Sequence, residues 1–287
     1  MRPKVAVQEL IVSCLATLLV PVLGHGRLWE PPSRSSMWRR GFANPVNYQD
    51  MELFCGGVGV QYGVNGGKCG VCGDPWNGPR EHEAGGKFAN GIIVRKYDVG
   101  QVIDITIDLT ANHKGYFEFN ICPTDDPFDK ITEQCLAKYP LSEIETGLSK
   151  YAVPDSTGYS GKIDMKFRLP AGVKCRACML RWRYTAGNSW GTNPDGTGCI
   201  GCGNQEMFYG CADVAIGYDD VVLSVAPDKP QWYYEPTTPD WDVFGTDSYE
   251  NTTDGGPSHI FQSTVCSLGL LSVLHVFIVV LVTFAAS

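Results

Sequence analysis

Five stretches of this 287-residue chain alternate apolar and polar side chains with a period of two: residues 102–109 (VIDITIDL), 115–122 (GYFEFNIC), 165–169 (MKFRL), 178–184 (CMLRWRY) and 212–216 (ADVAI). An extended chain turns successive side chains to opposite faces, so each stretch predicts a strand with one buried and one solvated face. Long Gly- and Pro-rich loops, above all residues 55–86 and 186–203, separate them. Helical periodicity is weak, and its best candidate is residues 141–151. Short strands and no long amphipathic helix predict an all-β domain, an antiparallel two-sheet sandwich with long loops.

The alternation gives way at both ends to continuous apolar runs. Residues 1–24 carry Arg2 and Lys4, then an apolar run, then Val22 and Gly24 at the positions a signal peptidase reads. That layout is a secretory signal peptide, and the run is shorter than the roughly 20 residues a membrane span requires. Cleavage after Gly24 makes His25 the first residue of the mature chain. At the other end, residues 265–286 are almost wholly apolar, yet no Lys or Arg follows Lys229 to hold a cytoplasmic end. Short side chains at Asp254, Gly255 and Gly256, a polar spacer to Ser263 and an apolar terminus fit a glycosylphosphatidylinositol signal better than a true span. The expected organisation is a signal peptide (1–24), one folded domain (25–225), a stalk (226–256) and a removed tail (257–287). The mature protein is then expected outside the cell, held to the membrane by a lipid anchor.

Composition supports export. The stalk holds Pro227, Pro230, Pro236 and Pro239 among Asp240, Asp242, Asp247 and Asp254, a mixture that resists packing, and its Asn251-Thr252-Thr253 is an N-glycosylation acceptor. The formal charge is −8, and loss of Arg2, Lys4 and Glu9 makes it more negative, which argues against a nucleic-acid partner. Of 12 cysteines, Cys14 and Cys266 fall in the removed ends, leaving an even number that predicts five disulfides in an oxidising compartment. Cys69/Cys72, Cys175/Cys178 and Cys199/Cys202 have the C-x-x-C spacing of a zinc ribbon, an alternative that export disfavours. Spacing leaves the disulfide connectivity open.

Histidine is scarce: His25, His82, His113, His259 and His275 are all there are, and the last two lie on or beyond the stalk. A histidine at a free N-terminus is chemically distinct, because its α-amine and its imidazole can both bind one metal ion. Nitrogen donors of this kind suit copper best among the first-row divalent metals. One further imidazole completes a three-nitrogen, T-shaped site, and His113, just after the strand at residues 102–109, is the candidate. His82, within the loop at residues 55–86, is the alternative. Since His113 lies in a polar segment, its replacement by Ala is expected to leave the fold almost unchanged.

The segments HGRLWEPPSR (residues 25–34), ANHKGYFEF (111–119) and NQEMFYGCADVAI (204–216) together resemble the lytic polysaccharide monooxygenases. CGG…QY…GGKCGVCGD and NPDGTGCIGCGNQEMF are most similar to the family 15 branch of the auxiliary-activity enzymes, the one found in animals. The likeness runs from His25 to about residue 218. It implies an immunoglobulin-like β-sandwich, acting as a monomer, with a flat face around one copper ion and no enclosed pocket. Crystalline chitin, or in some members cellulose, is the implied substrate.

Carried over residue by residue, the resemblance implies that His25 supplies its amine and Nδ1 and that His113 supplies the third nitrogen. Ala111 is the small residue that leaves an axial face open. Phe208 falls at the opposite axial aromatic, although Tyr209 is adjacent and strand alternation lets only one of the two face the metal. Glu206 is placed to hydrogen-bond an oxygen species at the metal. The implied reaction uses an external electron donor to reduce Cu(II) to Cu(I), with O₂ or H₂O₂ as co-substrate; hydrogen is taken from C1 or C4, and oxygen insertion breaks the glycosidic bond. Two other classes compete: a non-catalytic chitin-binding module, and a surface protein that handles copper through the same histidines. A zinc hydrolase is disfavoured because no HExxH motif occurs.

Overall fold

Strand β3 (Val102–Ala111) buries Ile103, Ile105, Ile107 and Leu109 on one face while the residues between them are more exposed, the outcome its alternation predicts. It lies in a computed structural model that describes residues 25–154 and 160–223. The signal peptide, stalk, glycosylation acceptor and tail expected from the sequence, with Cys14, Cys266, His259 and His275, fall outside the described residues.

Two sheets form the sandwich. One has four strands in the order β1 (His25–Glu30), β3, β7 (Gly161–Arg168) and β5 (Ser142–Glu143). The other has five, in the order β2 (Arg95–Tyr97), β11 (Met207–Ile216), β8 (Cys175–Thr185), β4 (Tyr116–Cys122) and β6 (Lys150–Ala152). A hairpin of β9 (Trp190–Thr192) and β10 (Gly198–Ile200) stands apart. Pairing is antiparallel throughout the described residues except between β2 and β11, which run parallel. Between the sheets lies a core built around Leu28, Ile105, Phe117, Phe119, Phe167, Trp182 and Phe208. Each such side chain, fully buried, contributes about 1.5–3 kcal/mol, enough that a one-residue slip of any of these strands is excluded.

β8 and β11 are buried on both faces, which the alternating pattern alone does not predict. Their outer face is covered by a second apolar cluster of Val71, Cys72, Cys122, Ile131, Leu136, Met179 and Cys211, contributed in part by the long loop at residues 55–86 and by helix α1 (Glu133–Lys138). Thr132 caps α1, its Oγ1 accepting from the Cys135 amide at 3.2 Å.

Residues 141–151, the best helical candidate in the sequence, are not helical. They form β5, a turn and β6. The Glu143 carboxylate accepts hydrogen bonds from the amides of Glu145 (3.0 Å) and Thr146 (2.7 Å) and from the Thr146 hydroxyl (2.6 Å), and Gly147 sits at φ +72°. These local bonds give the backbone an alternative to the helix.

The ten domain cysteines form five disulfides: Cys55–Cys69, Cys72–Cys211, Cys122–Cys135, Cys175–Cys178 and Cys199–Cys202. The zinc-ribbon alternative fails, since every one of its thiols is committed to sulfur. Cys69 and Cys72, three residues apart, belong to different bonds, and Cys72–Cys211 fastens the long loop to β11.

Loop closure sets the expected worth of these bonds. Cys72–Cys211 closes 139 residues and Cys199–Cys202 closes 3, so chain entropy assigns about 5 and about 2 kcal/mol respectively. Replacing Cys72 and Cys211 together by Ala is expected to lower the unfolding midpoint far more than replacing Cys199 and Cys202. Equal losses in urea unfolding would show that loop 55–86 is held by its packing alone.

Candidate metal centre

The site begins where β1 meets β3. His25 pairs with Ala111, and the register shifts between His25 and Gly26, so the strand enters the sandwich through an irregularity. Gly26 lies so close to the core that a Cβ there would sit 3.2 Å from Trp182 Cη2 and 3.3 Å from Leu109 Cδ1. The missing side chain lets β1 press against Trp182, and Leu28 is then fully buried. His25 is left at the edge, its side chain 15% exposed.

Two residues after Ala111, the chain turns. The Asn112 side chain accepts from the Lys114 amide at 2.7 Å, and Lys114 and Gly115 adopt φ +56° and +80°. Only glycine fits at 115, because a Cβ would fall 2.0 Å from the carbonyl oxygen of Thr185. The turn holds His113 by its backbone: its amide donates to Tyr184 Oη at 2.8 Å, and its carbonyl accepts from the Gly187 amide at 2.8 Å. Burial pushes the Tyr184 phenol well above its usual pKa, so the ring oxygen is a neutral acceptor. His113 itself is buried, 8% exposed, and the expectation of a cost-free surface replacement is corrected: Ala there removes a packed side chain.

The two imidazoles share one neighbour. Phe208 lies 6.1 Å from the His25 ring and 6.4 Å from the His113 ring, edge-on to both at 68° and 69°. It is backed by Phe54, nearly parallel at 6.2 Å, and by Tyr184 at 5.7 Å. Alternation along β11 sends Tyr209 to the opposite face, where its hydroxyl reaches Met207 Sδ at 3.3 Å and its ring lies 5.9 Å from the Arg181 guanidinium. Burial pushes the Tyr209 phenol up to about 12. Of the two adjacent aromatics, Phe208 is therefore the one beside His25 and His113.

Carboxylates flank both rings. Glu206 Oε2 lies 3.6 Å from His113 Nδ1, long for a hydrogen bond. Glu52 Oε1 lies 3.1 Å from His25 Nε2. Neither Glu52 nor Tyr184 could be singled out in the sequence: Glu52 is one acid in a polar loop, and Tyr184 reads as one more core aromatic. His82 is elsewhere and fully engaged. Its Nδ1 lies 2.8 Å from Asp74 Oδ1, its amide donates to Asp74 Oδ2 at 2.9 Å, its Nε2 lies 3.2 Å from Asn47 Nδ2, and its ring stacks on Phe88 at 4.6 Å.

Among the described residues no group of three or more His, Cys, Asp or Glu side chains is arranged to hold a metal. His25 and His113 lie at the edges of one phenylalanine ring, and the α-amine of a chain beginning at His25 would be a third nitrogen. Such a set of nitrogen donors, free of thiolate, suits copper rather than calcium, magnesium or a structural zinc. Grooves of about 310, 920 and 590 Å³ are lined by other residues, none of them His25, His113 or Phe208.

The family model described as lytic polysaccharide mono-oxygenase, cellulose-degrading, matches residues 25–214. A solved structure, the lytic polysaccharide monooxygenase AA15 from Thermobia domestica in the Cu(I) state, is 40% identical, covers 67% of this chain and 98% of its own, and superposes with a TM-score of 0.64. The fusolin of Wiseana entomopoxvirus spindles is 17% identical over 70% of this chain and 72% of its own, with a TM-score of 0.34, too remote to bear on the site. No curated protein matches.

The geometry separates the histidines experimentally. His82→Ala takes the imidazole from the buried Asp74 carboxylate, which keeps the residue-82 amide as a donor, and is expected to cost about 1.5–3 kcal/mol, the worth of a hydrogen bond to a charged group, while copper binding stays at the wild-type level. Calorimetric copper titration beside thermal unfolding checks both. Lost copper binding in a folded His82→Ala protein would move the metal centre to the loop at residues 55–86.

Proposed function

The chain belongs to the lytic polysaccharide mono-oxygenases, copper-dependent enzymes of polysaccharide oxidation, and from that premise we propose that it cleaves crystalline chitin, or the related β-1,4-glucan cellulose, with copper held by His25 and His113. The observation that carries the reading is the meeting of the two imidazoles at the edges of one phenylalanine ring, 6.1 and 6.4 Å from its centre. The family match opens at His25, which agrees with a mature chain beginning there. In that mature chain the α-amine and Nδ1 of His25 and a nitrogen of His113 would hold the ion. Copper, when bound, would supply one-electron chemistry, taking an electron from an external reductant so that O₂ or H₂O₂ serves as the oxidant of the sugar at C1 or C4.

The chain's own residues set the geometry. β1 and the turn after β3 fix the two imidazoles through main-chain bonds, so little reorganisation is needed when the metal arrives. Phe208 fills the space behind the imidazoles with carbon and offers no donor atom, leaving the nitrogens to define the coordination. Ala111, paired with His25, presents only a methyl group on the strand that leads to His113, and so leaves room for a small co-substrate. Glu206, at the margin of His113 and partly exposed, can hold a hydrogen bond to that co-substrate.

A copper-handling surface protein with the same histidines would bind the metal equally well, and product analysis discriminates. Copper-loaded mature protein with ascorbate and β-chitin or cellulose is expected to release oxidised oligosaccharides detectable by mass spectrometry. His113→Ala is expected to remove them and to weaken copper binding by at least the roughly 10–100-fold that loss of a supporting residue costs. Tight copper binding with no oxidised product on either polymer would favour copper handling.

A further inference from the structure

We propose that Glu52 is the positioning residue for the first imidazole: its carboxylate accepts a hydrogen bond from His25 Nε2–H and thereby turns Nδ1 toward the α-amine and His113. The proposal rests on the copper reading above. A chelate through the α-amine can use only the nearer ring nitrogen, Nδ1, which leaves Nε2 on the far side. That is the nitrogen beside Glu52, with Oε1 at 3.1 Å. A neutral imidazole carries one N–H, so an acceptor at Nε2 keeps the proton there and leaves the Nδ1 lone pair for the metal.

An exposed ion pair on a free loop would fix nothing, since side-chain entropy disperses it. The backbone around Glu52 is not free. The carbonyl of Met51 accepts from the Gly26 amide at 3.2 Å, and the carbonyl of Leu53 accepts from the Tyr209 amide at 2.9 Å. One bond reaches the residue after His25 and the other the residue after Phe208. Asp50, fully buried at its side chain, is held by Arg39 at 2.6 Å and lies 3.6 Å from Arg27. Arg27 Nη2 also reaches Met51 Sδ at 3.4 Å. Glu52 is thus suspended between the strands that carry the His25 ring and its aromatic neighbour, and its position is set by the fold rather than by the pair it makes.

The test uses the mature protein beginning at His25, as wild type, Glu52→Ala and Glu52→Gln. Cu(II) affinity, the electron paramagnetic resonance spectrum of the copper-loaded protein and the unfolding midpoint of the copper-free protein are measured on each. Glu52→Ala is expected to weaken copper binding about 10–100-fold and to alter the spectrum, with the midpoint unchanged. Glu52→Gln, which keeps an oxygen acceptor, is expected to recover part of both. Wild-type affinity with a superimposable spectrum in Glu52→Ala would overturn the assignment while the copper reading stood. Equal losses in both variants with a lowered midpoint would overturn it as well, making Glu52 a residue of the loop's fold. Failure of the wild type to bind copper would overturn the copper reading, and this inference with it.

Discussion

Antiparallel pairing of β1 with β3 places His25 opposite Ala111, two residues before His113, and the remainder of the site serves to hold that register. Gly26 admits β1 to the surface of Trp182, and Leu28 then locks it by burial. A shift of one residue would send Leu28 to the outside and carry His25 away from the turn that bears His113. The sandwich in this sense brings two sequence-distant imidazoles to the edges of one phenylalanine ring. Phe208, delivered by β11 between its neighbours on the inner face, occupies the place where their edges meet.

The outer layer supports the same end. β11 would be half-solvated were it not for the loop at residues 55–86, which Cys72–Cys211 and the Val71 cluster fasten across it. The preceding residues of that covering segment carry Glu52 and Phe54 to the site. Long loops in a small β domain are ordinarily a source of mobility; here disulfides and main-chain bonds to the strands make them part of the support.

Much of this was legible in the sequence, for reasons that can be named. Strands such as residues 102–109 face core on one side and water on the other, so their period is visible; β8 and β11, covered on both faces, show it only in part. β1 was readable as a motif but not as a strand, because His25, Arg27 and Glu30 alternate with few apolar residues. Residues 141–151 misled because local bonds to the Glu143 carboxylate decide that turn, and no periodicity reports them. The histidines stood out through scarcity and through the position of His25. Choosing Phe208 over Tyr209 required the strand register, and Tyr184 and Glu52 required the packing, since a phenol that accepts from His113 and a loop carboxylate beside His25 leave no pattern in one dimension.

The central claim is that the α-amine of His25 is a metal ligand, and it turns on a single peptide bond. Cu(II) affinity measured by calorimetry on the protein beginning at His25, and on the same protein retaining Gly24 ahead of it, tests the claim directly. The retained residue converts the amine to an amide, a poor donor near neutral pH, while His113, Phe208 and Glu52 are untouched. The account predicts that copper binding falls by at least about 10–100-fold, with an unchanged unfolding midpoint for the copper-free protein. Equal affinity in the two proteins would contradict it.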